Sequence, residues 1–367
     1  MDIAIFGAQG YALGAYEALT TLYKKRKVRC FMVSKSGSNP KTLAGLLVLE
    51  ISQLYSQLSS AEKDELEVFI ATPESVQSEI EDVLESYGFI HHQRLSSVRW
   101  NDLMTLYHTR TGDLQPLSTL PIGCHEPFIR LYAACHEKDT PLTEDYKKCE
   151  YVIPIQAGAG MADRKVCAVR DDSGENITDR NGNYSELTAL YWIWKQKLEL
   201  PGGQQAFSQD STREYYGLMQ YRRVFDLSGD DLLRLVDNEV DAVLPYPLPY
   251  EPDINAHHKR WLKDADWEAL ETALTELQPE YGAYFPAVLT QRYLYNYNMI
   301  LAKKSVLRDY CRWLFPILMR VEELSEPQGR DRADRYIGYM AETLETLYFM
   351  KNRDRLNIVH TGCYLLK

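Results

Sequence analysis

The densest gathering of chemically useful side chains lies between residues 171 and 223. Asp171, Asp172, Ser173, Glu175 and Asn176 fall in one loop, with Asn181 and Asn183 close behind. So many oxygens in a short stretch suit sugar hydroxyls or a cation, although the glycine and terminal glutamate of a calcium loop are misplaced here. A local reading competes: Asn183 with Glu186 three residues on has the spacing of a capping box, and Asp/Gly pairs make turns without any ligand. Further along, Arg222 and Arg223 follow the apolar run 215–219, which reads as a buried strand. The C-terminal edge of such a strand is where α/β sheets place ligands, and two guanidiniums there point to an anion. Continued strand alternation sends Gln220 and Arg222 to one side and Tyr221 and Arg223 to the other, so Arg222 is the one expected to meet the ligand. The alternative is a pair of surface arginines held by Asp226 or Asp230.

A second candidate lies at the start of the chain, where Gly7, Gly10 and Gly14 form GxxGxxxG between an apolar strand and a helix. Free N–H groups and the helix dipole favour a phosphate at such a turn. A dinucleotide site also wants an acidic residue after the second strand, and that region reads Val33, Ser34, Lys35, Ser36. Ser34, Lys35 and Ser36 could hold a phosphate instead, which leaves an NADP-type or nucleotide-sugar reading beside the simpler one, glycines that tighten a turn. The basic run 24–27 reads as a solvated helix C-terminus, with contact to anionic lipid as the alternative.

These residues need elements to place them. Strands are expected at 2–6, 28–33 and 67–71, with helices over 13–23 and from Pro73 through Leu84, which is the alternation of a small parallel α/β domain. Residues 109–121 gather Gly, two Pro and polar side chains without periodicity and read as a linker. Beyond it, strands are expected at 128–135, 151–155, 215–219 and 241–244, and helices at 185–200, 267–277, 306–324 and 336–350. The expected fold class is α/β: a small Rossmann-like parallel-sheet domain over 1–118, then a larger α/β domain with a helical C-terminal part over 119–367.

Composition narrows the function. The 367 residues are 45% hydrophobic and 25% charged, as in ordinary soluble domains. With 41 Lys+Arg against 52 Asp+Glu, the net charge of −11 argues against nucleic-acid partners. Seven cysteines with no CxxC pair argue against a disulfide framework and a zinc ribbon. The N-terminus lacks the basic and apolar regions of a signal peptide, and no segment reaches the ~20 apolar residues that span a bilayer, so a cytoplasmic protein is expected. Tyrosine is abundant, 26 against 10 Phe, and its flat amphipathic ring suits sugar binding.

Several motifs in register then carry a resemblance. Residues 151–158 (YVIPIQAG), 172–177 (DSGENI), 183–195 (NYSELTALYWIWK) and 216–223 (YGLMQYRR) resemble the bacterial capsular and exopolysaccharide biosynthesis glycosyltransferase family, and 256–258, 297–301, 310–315 and 338–342 continue the match. Where that family commonly has His before Tyr-Arg-Arg, this chain has Gln220. The resemblance implies a GT-A-like fold over the C-terminal two-thirds, with a Rossmann-like extension before it. It also implies transfer of a hexose, galactose or galactofuranose among the candidates, from a nucleotide diphosphate sugar, a UDP-sugar foremost. The acceptor would be a lipid-linked or oligosaccharide glycan, with peripheral association at the inner face of the membrane.

Within this reading, the donor-binding candidates are His136, Lys138, Asp172, Asn176, Asn183, Glu186, Arg222, Arg223 and Asn298. Tyr250, His257 and His258 are the acceptor candidates. Glu342, in a helical motif, is the candidate base, and Arg222 the group that meets charge on the leaving diphosphate. No Asp-x-Asp motif follows the 215–219 strand, so the arginines are candidates to replace a divalent metal, while Asp172 and Asp179 keep metal dependence open. Two other classes stay in view: an NAD(P)-dependent oxidoreductase using Gly7, Gly10 and Gly14, and a noncatalytic sugar-nucleotide-binding subunit.

Overall fold

The computed structural model describes residues 1–142, 149–199, 213–327 and 332–366. The chain divides into two compact units: Met1–Leu114 with Pro247–Asp253, and Gln115–Tyr246 with Ile254–Lys367. The sequence reading divides the chain at 118/119 and assigns no later segment to the first unit.

The first unit runs β1 (Asp2–Phe6), α1 (Gly10–Leu22), β2 (Val28–Val33), β3 (Thr42–Leu43), β4 (Leu46–Glu50), α2 (Ile51–Gln57), α3 (Ser60–Asp64), β5 (Leu66–Ile70), α4 (Gln77–Ser86), β6 (His92–Arg94) and α5 (Ser97–Thr111). Its sheet has the order β3-β4-β2-β1-β5-β6, parallel throughout except for β3. The inner strands are near-continuous apolar runs because helices cover both faces of a parallel sheet; Ala4, Phe6, Cys30, Met32, Val68, Ile70 and Phe89 meet in its core. Residues 109–111 are not linker: they form the last turn of α5, which Gly112 closes at φ 75° in the left-handed region that favours glycine at a helix end. The sparse apolar pattern of α5 conceals this helix from periodicity.

The second unit runs β7 (Phe128–Cys135), β8 (Val152–Gln156), β9 (Val169–Arg170), α6 (Asn181–Tyr184), α7 (Leu187–Ile193), β10 (Glu214–Gln220), β11 (Arg223–Phe225), α8 (Gly229–Asp237) and β12 (Ala242–Pro245). After β13 (Leu248–Pro249), which belongs to the first unit, follow α9 (Ile254–His258), α10 (Asp264–Leu277), α11 (Pro279–Leu289), β14 (Tyr293–Leu294), β15 (Ile300–Lys303), α12 (Lys304–Leu324), α13 (Tyr336–Asn352), β16 (Ile358–Thr361) and β17 (Cys363–Leu365). The main sheet has the order β16-β12-β15-β10-β7-β8-β9, and β15 alone runs against its neighbours. The chain is thus α/β, with parallel strands in both units. Among the described residues no helix is long and apolar enough to cross a membrane.

The helix expected over 185–200 differs in detail, and residue 200 lies outside the described residues. Ser185 has φ 52°, so α6 ends before it and α7 starts after it, and α7 continues into a π-helical turn, Trp194–Leu198. The proposed capping box therefore does not form. Asn183 donates to the Arg332 carbonyl at 2.8 Å and Glu186 turns to Asn298.

At the centre of the sheet, a Cβ on Gly217 would lie 2.3 Å from the Ile300 carbonyl oxygen of the antiparallel neighbour. Gly217→Ala should therefore destabilise by about 1–3 kcal/mol, the usual cost of overpacking. Chemical denaturation measures it, and an unchanged midpoint would show that β10 and β15 separate freely.

Candidate functional site

β7, β8 and β10 are parallel neighbours, and their C-terminal ends open on a cavity of about 470 Å³. Ala134, Cys135, His136 and Asp139 line it from β7 and the turn beyond, Ala157 from the end of β8, and Gln220 and Tyr221 from the end of β10. Asn181, Gly182, Ser185 and Glu186 close one side, with Ala333 and Arg335. Its position follows the rule that α/β sheets bind ligands at strand C-termini.

Each polar group is held by its neighbours. Asp139 accepts the His136 N–H at 2.6 Å, and the Lys138 N–H donates to His136 Nδ1 at 3.2 Å. Burial raises the Asp139 pKa, against which the His136 N–H and the charges of His136 and Arg222 work. Glu186 accepts Asn298 Nδ2 at 2.8 Å on Oε1, and Arg335 Nη2 stands 3.9 Å from Oε2 while Arg335 Nε donates to Ser185 Oγ at 2.9 Å. Burial pushes Glu186 upward too, with Asn298 and Arg335 pulling the other way.

Behind Glu186 lies a turn with two consecutive left-handed residues, Tyr297 (φ 78°) and Asn298 (φ 50°). Its polar groups are tied on several sides. Glu342 Oε1 accepts the Tyr297 N–H at 2.8 Å, Gln220 Nε2 donates to the Tyr297 carbonyl at 3.4 Å, and Asn298 Nδ2 also reaches the Gly338 carbonyl at 3.2 Å. The Arg223 guanidinium lies 3.5 Å over the Tyr297 ring. Burial first, and then the Glu186 charge, push Glu342 up to about 7, opposed by the Tyr297 N–H, Asn296 and Arg223. Glu345, one helical turn on, is 1% exposed with neither carboxyl oxygen hydrogen-bonded, and burial holds it well above the carboxylate range.

The structure thus brings His136, Glu186, Arg222, Arg223, Asn298 and Glu342 to one region, with His136 and Glu186 on the cavity wall and the Arg222 charge felt by Asp139. The alternation argument for Arg222 and Arg223 does not apply, because β10 ends at Gln220 and the chain bends before β11 begins at Arg223. Glu342 faces the Tyr297 backbone instead of lining the cavity. Asp139 and Arg335 are cavity residues that the sequence reading passes over. Asp139 had a signal, an acceptor three residues after His136; Arg335 had none.

Other candidates lie outside the cavity lining. Asp172 pairs with Arg170, and its neighbour Asp171, fully buried, accepts the N–H groups of Gly158 and Ala159 and the Thr178 hydroxyl. Asn176 bridges the Gly174 carbonyl and the Thr178 N–H, and the Lys138 side chain is exposed. His258 is a core residue, stacked on Trp267 and bonded to Thr343 Oγ1 at 2.6 Å; burial pushes it down to about 3 and His257 to about 4, so both are neutral. Tyr250 lies in the segment grouped with the first unit.

The glycine turn is packed rather than open. A Cβ on Gly10 would meet Leu248 Cβ and the Pro249 carbonyl at 3.2 Å, and one on Gly14 would meet the Trp100 ring at 2.8 Å. Gly7, at φ 134°, lies against the Ala71 carbonyl. These glycines admit protein neighbours to α1.

The family model described as "Domain of unknown function (DUF4422)" matches residues 130–353. Among solved structures, the apo form of WbbM, a bifunctional glycosyltransferase, is similar at a TM-score of 0.54 and 22% identity over 65% of this chain. The chain spans 45% of that protein's length. A methyltransferase, FkbM from Methylobacillus flagellatus KT, covers 65% of this chain and 83% of its own at 10% identity and a TM-score of 0.24, which carries no fold relationship. No curated protein matches the sequence.

The raised Glu342 pKa gives a stability test. Between about pH 4.5 and 7 the folded chain keeps a proton that the unfolded chain has lost, so this contribution is full at low pH and fades as pH rises, at most about 1.4 kcal/mol per pH unit. Glu342→Gln keeps an acceptor for the Tyr297 N–H and removes the titration. Urea unfolding at pH 5, 6 and 7 should show a shallower decline in the variant; parallel declines would mean that Glu342 titrates normally.

Proposed function

The chain belongs to the DUF4422 family, and from that premise we propose that it is a glycosyltransferase that moves a hexose from a nucleotide diphosphate sugar, UDP-linked first of all, to a glycan hydroxyl. The observation that carries this reading is the cavity at the C-terminal ends of β7, β8 and β10, which combines two carboxylates, Asp139 and Glu186, with an imidazole and the guanidinium of Arg335. Its volume of about 470 Å³ lies within the usual range for small-ligand sites. The fold-level likeness to a bifunctional glycosyltransferase supports the same reading. One reversed strand in an otherwise parallel sheet agrees with the GT-A-like architecture expected from the sequence.

Transfer breaks the bond from sugar C1 to the diphosphate oxygen, which leaves with the electron pair, and forms a bond from C1 to the acceptor oxygen, whose proton must go to a base. We assign that base to Glu186, which lines the cavity and which burial holds above the ordinary carboxylate pKa, nearer the operating pH of a general base. Glu342 and Asn298 act as positioning residues through the Tyr297–Asn298 turn. Arg222 and Arg335 are the cations for the leaving diphosphate. Asp139 already has the His136 N–H and the Arg222 charge as partners, so the arginines take the role that a divalent ion has elsewhere. The galactose or galactofuranose donor, the lipid-linked or oligosaccharide acceptor and the setting in capsular or exopolysaccharide assembly at the membrane face are part of the same proposal. The dinucleotide reading has less support, since Leu248, Pro249 and Trp100 pack against Gly10 and Gly14.

Calorimetry with UDP and UDP-hexoses, paired with transfer assays, tests the proposal. Glu186→Gln should lower transfer by roughly 10²–10⁴-fold with donor affinity nearly unchanged. A variant with full transfer removes Glu186 as base, and loss of donor binding makes it a donor ligand. Arg222→Ala should cost several kcal/mol of transition-state stabilisation, about what one such contact supplies, and Arg222→Lys should restore only part, because an ammonium cannot reproduce the guanidinium fork. If the wild type binds no sugar nucleotide, the function assigned here is wrong.

A further inference from the structure

Outside the cavity, three side chains of different chemistry converge where the chain enters β7. Cys124 and His125 are adjacent in the loop before that strand, and Asp237 is the last residue of α8, more than a hundred positions further on. Cys124 Sγ lies 3.7 Å from His125 Nδ1, His125 Nδ1 lies 2.5 Å from Asp237 Oδ1, and the three donor atoms fall within 4.8 Å of one another. All three residues are exposed. We propose that Cys124, His125 and Asp237 form a binding site for a thiophilic divalent cation of the zinc class.

The spacing suits that ion. Tetrahedral zinc with ordinary Zn–S and Zn–N lengths sets sulfur and nitrogen about 3.5 Å apart and nitrogen and carboxylate oxygen about 3.3 Å apart. The first separation is already present. The second is shorter because imidazole and carboxylate are hydrogen-bonded directly; a cation between them needs the two atoms to part by less than about 1 Å. The carboxylate is oriented for it: Oδ2 accepts the Cys124 N–H at 2.5 Å and the His125 N–H at 3.2 Å, which leaves Oδ1 toward the imidazole. A cation is also the favoured charge at the C-terminus of α8. Close approach of loop and helix depends on Gly123, where a Cβ would lie 2.3 Å from Asp237 Oδ2 and 2.6 Å from the Leu233 carbonyl oxygen.

The donor set decides the class of metal. A thiolate selects zinc over magnesium or calcium, and three protein ligands on an exposed site leave the fourth position to water. Thiolate and carboxylate together balance the charge of a divalent ion. The thiolate is the form that binds metal, so zinc competes with protons at the site and binding tightens as pH rises. The bound ion would clip the lead into β7 to the end of α8. The sequence reading excludes a CxxC ribbon, and it has no means to join a Cys-His pair to an aspartate so far along the chain.

The test uses the full chain stripped of metal. Zinc sulfate titrated by calorimetry should bind at one ion per chain, and cobalt(II) should show a thiolate charge-transfer band in the near ultraviolet. Cys124→Ser and His125→Ala should each weaken zinc binding by more than about 100-fold, the upper end of what loss of an outer-shell partner costs. Zinc should raise the melting temperature of the wild type and leave Cys124→Ser unmoved. Cys363→Ser serves as a thiol control and should bind as the wild type does. Circular dichroism establishes that each variant is folded. Absence of zinc binding overturns the proposal, as does equal affinity in the Cys124→Ser chain; the cluster is then a hydrogen-bonded clasp for the loop and nothing more.

Discussion

Three carboxyl groups in a region that cannot hold three negative charges set the terms for the second unit's site. Glu342 and Glu345 come from one face of α13, three residues apart, and Glu186 comes from the start of α7. Glu345 has no hydrogen-bond partner for either oxygen, and an ionised carboxylate so placed would face a desolvation cost beyond what a fold tolerates, so it is held as the neutral acid. The Glu186 charge adds to the upward push that burial exerts on Glu342. Glu186, the carboxyl that opens on the cavity, has an amide partner in Asn298 and a cation, Arg335, at 3.9 Å.

This arrangement explains the left-handed turn. Two successive residues at positive φ are unfavourable for side chains as large as Tyr297 and Asn298, and the surroundings must over-determine them. Glu342 satisfies the turn's N–H, Gln220 its carbonyl, Arg223 covers its ring, and Asn298 spans Glu186 and Gly338. β10, α7 and α13 are thereby tied at one point, so the Glu186 carboxyl is fixed by three elements that are distant in sequence.

Legibility in the sequence followed the range of the interactions. Strands such as β2 and β7 stand where their apolar runs begin and end, because burial leaves a near-continuous apolar run, broken by Arg29 in β2 and Arg130 in β7. The capping-box pattern at Asn183 and Glu186 misled because local spacing says nothing of the backbone reversal at Ser185, which frees both side chains for distant partners. Arg222 and Arg223 stand out in the sequence for their position after an apolar run, but the bend at 221–222 ends the alternation that would assign their directions. His257 and His258 read as acceptor ligands; the burial of His258 comes from α10 and α13, which no local pattern reveals. Asp139 leaves a local trace, an acceptor three residues after His136, whereas Arg335 is recognisable only from the folded cavity.

The grouping of Pro247–Asp253 with the first unit bears on how the chain is made. Leu248 and Pro249 lie against the glycine face of α1, yet they leave the ribosome only after most of the second unit has been synthesised. The N-terminal domain therefore cannot complete its packing as an independent vectorial folding unit, in the way sequential domains commonly do during translation. Until that late segment arrives, the small-residue face of α1 stays open, a surface available to chaperones in the nascent chain and absent from the finished molecule.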